Sequence, residues 1–250
     1  MQRVFTKTQP GAPPGFFAAE ARGLDRLRVD GGPPVPQVLS VAPDRLDLEW
    51  IEPGRPTVES AREFGRALVA VHQSGGTTFG ADQDSFIATL RQDNTRTDAW
   101  PEFYAERRLA PMLREATDRG GLRAADRGAI EQLIERLPDV AGPAEQPALI
   151  HGDLWSGNVH WAVDGRGWLI DAASAHDGHR ETDLAMLSLF GAPYLDDIVA
   201  AYDDRFPLAD GWRDRIPLHQ VFPLLVHAAL FGGGYGARAS GAARRAMMAQ

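Results

Sequence analysis

The sequence predicts an α+β chain in two lobes: a small mixed N-lobe over residues 1–53 and a larger, mostly helical C-lobe over residues 54–250. Three observations predict it. Strand-like segments with one helix between them fill the N-terminal part. Stretches with apolar residues at helical spacing fill most of the remainder. Between two of those stretches, short apolar runs flank a polar loop and end on side-chain oxygens.

The elements follow in order. Val4 to Thr8 reads as a strand, and residues 16–27 as a helix with Phe17, Ala21, Leu24 and Leu27 at helical spacing. Residues 31–36 form a turn rich in Gly and Pro, followed by strands at 38–41 and 46–51, the second with Leu46, Leu48 and Trp50 alternating. Pro53-Gly54-Arg55-Pro56 marks the boundary between lobes. Residues 58–72 form an amphipathic helix on Ala61, Phe64, Leu68 and Val71. A loop at 75–80 precedes helices expected at 84–91, 101–119 and 126–137. After the polar loop come helices near 182–190, 195–205 and 217–231, with Pro223 kinking the last or lying in its first turn.

The chemistry concentrates in LIHGDLWSGNVHWAVDGRGWLIDAA, from Leu149 to Ala173. Asp153 is followed five residues later by Asn158, and after an apolar run by Asp171. Kinase catalytic loops and their metal-binding strands read this way: an Asp aligns the acceptor hydroxyl and takes its proton, while an Asn and a second Asp hold Mg2+ against the phosphates of ATP. Phosphoryl transfer needs positioning and charge neutralisation, so a few oxygen ligands on rigid turns suffice. The alternative is an ordinary hairpin with turn carboxylates. His-Gly-Asp before the loop and Ile-Asp after it favour the kinase reading, and with it a protein-kinase-like two-lobe fold.

Lys7 is the single lysine among 26 basic residues. A compact ammonium on a strand suits a phosphate, and Glu20 on the following helix is its expected ion-pair partner. A chance surface lysine and a solvated Glu are the competing readings. Glu49 to Ile51 would be the hinge whose backbone bonds adenine, making Glu49 and Ile51 nucleotide-site residues. His151 is expected to hold Asp153 in place, and Asp183 to brace the loop through backbone hydrogen bonds. Trp155 is either core or a face for a sugar ring. The histidines at 151, 160, 176 and 179 match no common zinc spacing, and no thiolate is available. Gly232 to Gly236 lacks the Lys-Ser/Thr of a phosphate loop and reads as a helix-ending turn.

At these residues the chain resembles the fructosamine kinases (ketosamine kinases), within a wider group holding aminoglycoside phosphotransferases and choline kinases. HGDLWSGN with Trp155, and the run Gly178-His179-Arg180-Glu181-Thr182-Asp183-Leu184-Ala185-Met186, carry the resemblance. It extends upstream through Phe79-Gly80, Phe86-Ile87, Gln92, Asn94, Trp100, Phe103 and Arg108-Leu109, and downstream to His227 and Phe231-Gly232-Gly233-Gly234-Tyr235. The resemblance implies ATP-dependent phosphorylation of the sugar 3-hydroxyl of a ketosamine, free or on a glycated protein, in a deglycation repair reaction. It makes Trp155, His179 and Glu181 candidates for the sugar side, and ATP and Mg2+ the cofactors. Two departures stand out. Ala172 follows the metal-binding Asp where the family usually has Pro, and only six residues precede Lys7, so the N-lobe is expected to lack the glycine-rich hairpin. An aminoglycoside-type kinase and a nucleotide or ketosamine binder remain as alternatives.

Composition sets bounds. The net charge of −8 argues against a nucleic-acid partner. No apolar run approaches the roughly 18 residues of a membrane span, and Met1 to Pro14 has no secretory core. With no cysteine there is no disulfide or thiol switch, and a cytoplasmic monomer is the expectation.

Overall fold

The structure, a computed structural model, describes residues 3–248. It opens with β1 (Val4–Thr8), α1 (Phe16–Leu27), β2 (Val38–Ala42) and β3 (Arg45–Glu49). β3 lies between β1 and β2 in an antiparallel sheet, with Lys7 opposite Leu46 and Phe5 opposite Leu48. Leu46 and Leu48 point to the buried face, against Phe17, Leu24 and Leu27 of α1. That is the period-two pattern meeting the 3.6-residue pattern across one apolar layer.

α2 (Val58–Gln73) starts at a capping box: the Thr57 side chain accepts from Ser60 N–H and the Ser60 hydroxyl accepts from Thr57 N–H. Its apolar stripe packs against α7 (Leu195–Arg205), with Gly65 lying close to the backbone of Ile198. One hydrophobic core therefore joins α1 and the sheet to α2 and to Leu149, Leu154 and Leu169. It crosses Pro53 without a break, and Gly54 N–H donates to the Trp161 carbonyl.

The expected helix at 84–91 is a hairpin instead: β4 (Ser85–Ile87) pairs with β5 (Leu90–Gln92). Ala88, at φ 47°, makes the tight reversal, and Ser85 donates to the Gln92 side chain across it. The segment is too short for its apolar residues to distinguish the two periods. Next, α3 (Trp100–Phe103) runs through a π-helical turn at Tyr104–Leu109 into α4 (Ala110–Asp118). The turn sets Tyr104 facing the carbonyl of Leu218, to which its hydroxyl donates at 2.9 Å. α5 (Ala124–Val140) adds Ile130, Leu133 and Leu137 to a second core.

The segment that carries Asp153, Asn158 and Asp171 is built from short strands: β6 (Ala148–Ile150), β7 (Val159–Trp161), β8 (Gly167–Leu169) and β9 (His176–Gly178). β6 pairs with β9, and β7 with β8, both antiparallel. β9 was not anticipated, because His-Asp-Gly carries no strand signal of its own. α6 (Glu181–Leu189) and α7 follow, then α8 (Trp212–Phe231) and α9 (Tyr235–Met248), which close the second core. α8 begins five residues before the expected start at 217, and Pro223 lies inside it.

Candidate active site

Gly152 turns the chain out of β6 at φ 78°. A Cβ there would fall 2.5 Å from the Ser174 carbonyl, so glycine is required on two counts. The two amides at this turn, His151 N–H and Gly152 N–H, donate to the Asp183 carboxylate at 2.8 and 3.0 Å. Asp183 is fully buried, and His72 Nε2 contacts the same Oδ2 that accepts from His151, at 3.2 Å. The bracing role expected of Asp183 is thus visible as three hydrogen bonds to one side chain.

His151 links the loop to the segment that carries Asp171. Its Nε2–H donates to the Ile170 carbonyl at 2.8 Å and its Nδ1 accepts from Asp153 N–H at 3.3 Å. Burial holds the imidazole pKa below its usual value, which keeps this neutral tautomer. Asn158 adds a second link: its Nδ2 donates to the Asp153 carbonyl at 2.7 Å and to Asp153 Oδ2 at 3.3 Å, while Ile170 N–H donates to its own carbonyl. Both amide hydrogens of Asn158 are committed to Asp153, so Oδ1 remains as the acceptor end of the side chain.

Asp171 sits at φ 59°, a conformation that L residues adopt at a cost. It is held there because Ala172, fully buried, packs under α1 beside Gly23. Lys7 Nζ bonds Glu20 at 2.7 and 2.9 Å and also contacts Asp171 Oδ1. Burial would lower the Lys7 pKa, but the Glu20 and Asp171 carboxylates outweigh it and hold the ammonium charged. Asp153 is half-buried, and its pKa is pushed up to about 7, first by burial and then by the neighbouring Asp171 charge.

Two clefts open on this group. The first, about 150 Å3, is an apolar slot between the sheet and the catalytic segment. Phe5, Leu48, Trp50 and Ile51 line it from above, and His160, Ile170 and Asp171 from below, with Glu49 on its wall. His160 Nε2–H donates to the Ile51 carbonyl at 3.2 Å. The second cleft, about 240 Å3, has Asp153 on its wall with Trp155, Met186, His227, Leu230 and Phe231. His227 Nδ1–H donates to the Pro223 carbonyl at 2.8 Å, which leaves Nε2 an acceptor. Trp155 is 40% exposed, with Phe190 edge-on at 6.2 Å, so it is a surface face and not core.

The structure therefore brings Lys7, Glu20, Asp153, Asn158 and Asp171 together, sets Glu49 and Ile51 on the apolar slot, and sets Trp155 on the second cleft. It does not bring His179 and Glu181 to either cleft. Both are buried: Glu181 forms a two-point ion pair with Arg215 and contacts His219 at 3.3 Å, and His179 lies 4.8 Å from the Trp100 ring. Burial pushes the Glu181 pKa up, but the Arg215 guanidinium and the adjacent His219 outweigh it and pull it to about 2, while burial takes His179 to about 3. These are core positions; the sugar-side expectation for them is corrected. Although ligand atoms of His179, Glu181 and His219 lie within 4.8 Å of one another, His179 Nδ1 accepts from Glu181 N–H and Arg215 holds the carboxylate. Sequence reasoning gave no role to His160, His227 or Phe231. The last two stand on one face of α8, which the 217–231 segment shows only once the position of the catalytic loop is known.

The donor set around Asp171 is all oxygen, as a hard divalent cation such as Mg2+ requires.

A fructosamine kinase family model matches residues 1–249. A protein of Enterococcus faecium named "probable ketoamine kinase" is 35% identical over 239 residues, 94% of this chain and 84% of that protein. A crystal structure of a "putative fructosamine-3-kinase" from Thermobifida fusca superposes with TM-score 0.93 at 49% identity, covering 99% of this chain and 86% of that one. The choline kinase LicA of Streptococcus pneumoniae shares the fold, with TM-score 0.60 at 17% identity over 100% of this chain and 87% of that one. Family match, relatives and fold agree with the assembled Asp153–Asn158–Asp171 group: this chain belongs to the fructosamine kinase family and is a kinase.

Proposed function

We propose that this kinase transfers the γ-phosphoryl group of ATP to the 3-hydroxyl of a ketosamine, and so acts in removing sugar adducts from amines. The observation that carries the reading is the pairing of Asp153 and Asn158 in one loop, with Asp171 near enough to raise the Asp153 pKa and held on its other side by Lys7. Adenine occupies the apolar slot, against the backbone of Glu49 and Ile51 and between Phe5 and Ile170. Asn158 Oδ1 and the Asp171 carboxylate are the ligands for Mg2+, which neutralises phosphate charge when bound. Lys7, aimed by Glu20, leaves Asp171 for the phosphates when nucleotide enters.

Asp153 receives the acceptor hydroxyl hydrogen. The hydroxyl oxygen attacks the γ-phosphorus, the bond to the β–γ bridging oxygen breaks, and the proton passes to Asp153 as ADP leaves. A 3-phosphorylated ketosamine is prepared for elimination of its phosphate and release of the amine. Trp155 offers a flat face and His227 Nε2 an acceptor for the sugar hydroxyls. An aminoglycoside acceptor fits less well: it is a polycation, and among the described residues Asp153 is the only carboxylate that lines the second cleft.

The test is Mg2+-dependent ADP release with a fructosamine and a ribulosamine as acceptors, beside Asp153→Asn. ADP release that needs a ketosamine and disappears in Asp153→Asn supports the reading. ATP binding with no ADP release on either ketosamine would sink it.

A further inference from the structure

The cleft beside Asp153 is small. At about 240 Å3 it falls below the roughly 300–1,000 Å3 that enclose a drug-sized molecule, so a substituent on a sugar seated there would extend past its edge. What lies outside is aromatic. Phe190 sits 5.0 Å from His227 and edge-on to Trp155, and Phe231 and Tyr235 lie 5.6 and 5.0 Å from the same imidazole. Phe231 is 69% exposed and Phe190 39%. A continuous bare aromatic rim on the edge of a catalytic cleft marks a surface for a ligand.

Its electrostatics narrow the ligand further. The charged group that ring contacts place at this rim is Arg238, 5.4 Å over Tyr235. Among the described residues, no carboxylate beyond Asp153 lines the cleft to meet a second ammonium.

Resting on the ketosamine reading above, we infer that the amine portion of the acceptor carries an uncharged apolar group, aromatic by preference, seated on Phe231 and Phe190. The connectivity of the substrate requires such a seat. The 3-hydroxyl must face Asp153, and the amine is attached two carbons away at C1, so its substituent leaves the sugar at the mouth of the cleft. The side chains it meets there are aromatic, and ring stacking rewards an aromatic group, while Arg238 over Tyr235 opposes a cationic tail.

The experiment compares the mono-fructosyl adducts of benzylamine and of 1,4-diaminobutane as acceptors at saturating ATP and Mg2+. Expected is a KM about tenfold lower for the benzylamine adduct, as one or two stacked ring contacts would give. Phe231→Ala should bring the two within about twofold. Phe231→Asp should reverse the order, an outcome that a folding defect cannot produce. Equal kcat/KM for the two adducts in the unmodified protein overturns the inference and leaves the kinase reading intact. An unchanged ratio in both variants overturns the assignment to this rim. A lysine-bound fructose on a peptide with the lowest KM of the three overturns it in favour of a protein acceptor. No phosphate transfer to any adduct removes both readings together.

Discussion

Gly23 of α1 lies directly on the backbone of Ala172, so close that a Cβ on Gly23 would stand 1.8 Å from the Ala172 carbonyl oxygen. The helix that carries Glu20 and the segment that carries Asp171 therefore touch backbone to backbone, and Lys7 bridges the two carboxylates above that contact. Gly23→Ala must push α1 away. The expected cost is about 1–3 kcal/mol of stability, typical of overpacking. The Lys7–Glu20 pair shifts with the helix, so the KM for ATP should rise more than the KM for acceptor. Thermal unfolding and steady-state kinetics on the same variant check both.

Asp153→Asn should lower kcat by about 10²–10⁴, the range of a lost general base. The same change should stabilise the fold at alkaline pH. The Asp153 pKa is about 7 in the folded protein, above its unfolded value, so the folded state holds the proton more tightly. Its contribution to stability is full below the unfolded pKa of about 4 and is lost as pH rises to 7. At pH 8 the asparagine variant, which has no charge to bury, should be about 1–3 kcal/mol more stable, read by denaturant unfolding.

The same titration sets an acid limb on activity. Below pH 7 Asp153 in the free protein is largely protonated and cannot take the hydroxyl proton. The kcat/KM for acceptor should fall as pH drops through about 7. Because Asp171 supplies part of the upward push, occupying its carboxylate with Mg2+ should move the limb to lower pH as the metal concentration rises.

Removing Asp183 leaves the His151 and Gly152 amides buried without an acceptor. Asp183→Ala should cost about 3–5 kcal/mol, since charged acceptors of buried donors are among the strongest hydrogen bonds. Asp183→Asn retains an acceptor oxygen and should lose less. Hydrogen exchange at the two amides distinguishes loop release from global unfolding.

His179 and Trp155 separate core from substrate contact. His179→Ala should lower the melting temperature with the acceptor KM unchanged in the folded fraction, because the ring packs on Trp100 and away from both clefts. Trp155→Ala should raise the acceptor KM about tenfold with little change in melting temperature, since the ring is largely at the surface. A raised acceptor KM in His179→Ala would restore the sugar-side reading.

Much of this was legible in the chain because the informative features are local. The helices at 58–72 and 195–205 carry a long apolar stripe, and periodicity finds such elements wherever they pack. The spacing of Asp153, Asn158 and Asp171 survives folding because a single short hairpin separates them. Lys7 and Glu20 were paired correctly from their elements, a strand and the helix after it. The segment at 84–91 was misread because three-residue strands give too few positions to separate two periods. His179 and Glu181 were misplaced because a motif records which residues stand together in sequence, and not whether they face a cleft or the core.

Sequence by itself determined the family, and it picked out Asp153, Asn158 and Asp171 as one group, because both rest on side-chain identities at fixed short separations. Tertiary structure alone decided which of the polar residues are buried and which line a cleft, and that Phe190, His227 and Phe231 stand together beside the cleft that holds Asp153. Those facts depend on α8 crossing beside a loop some seventy residues earlier, a packing set by the whole apolar surface of the helix and by no local signal within it.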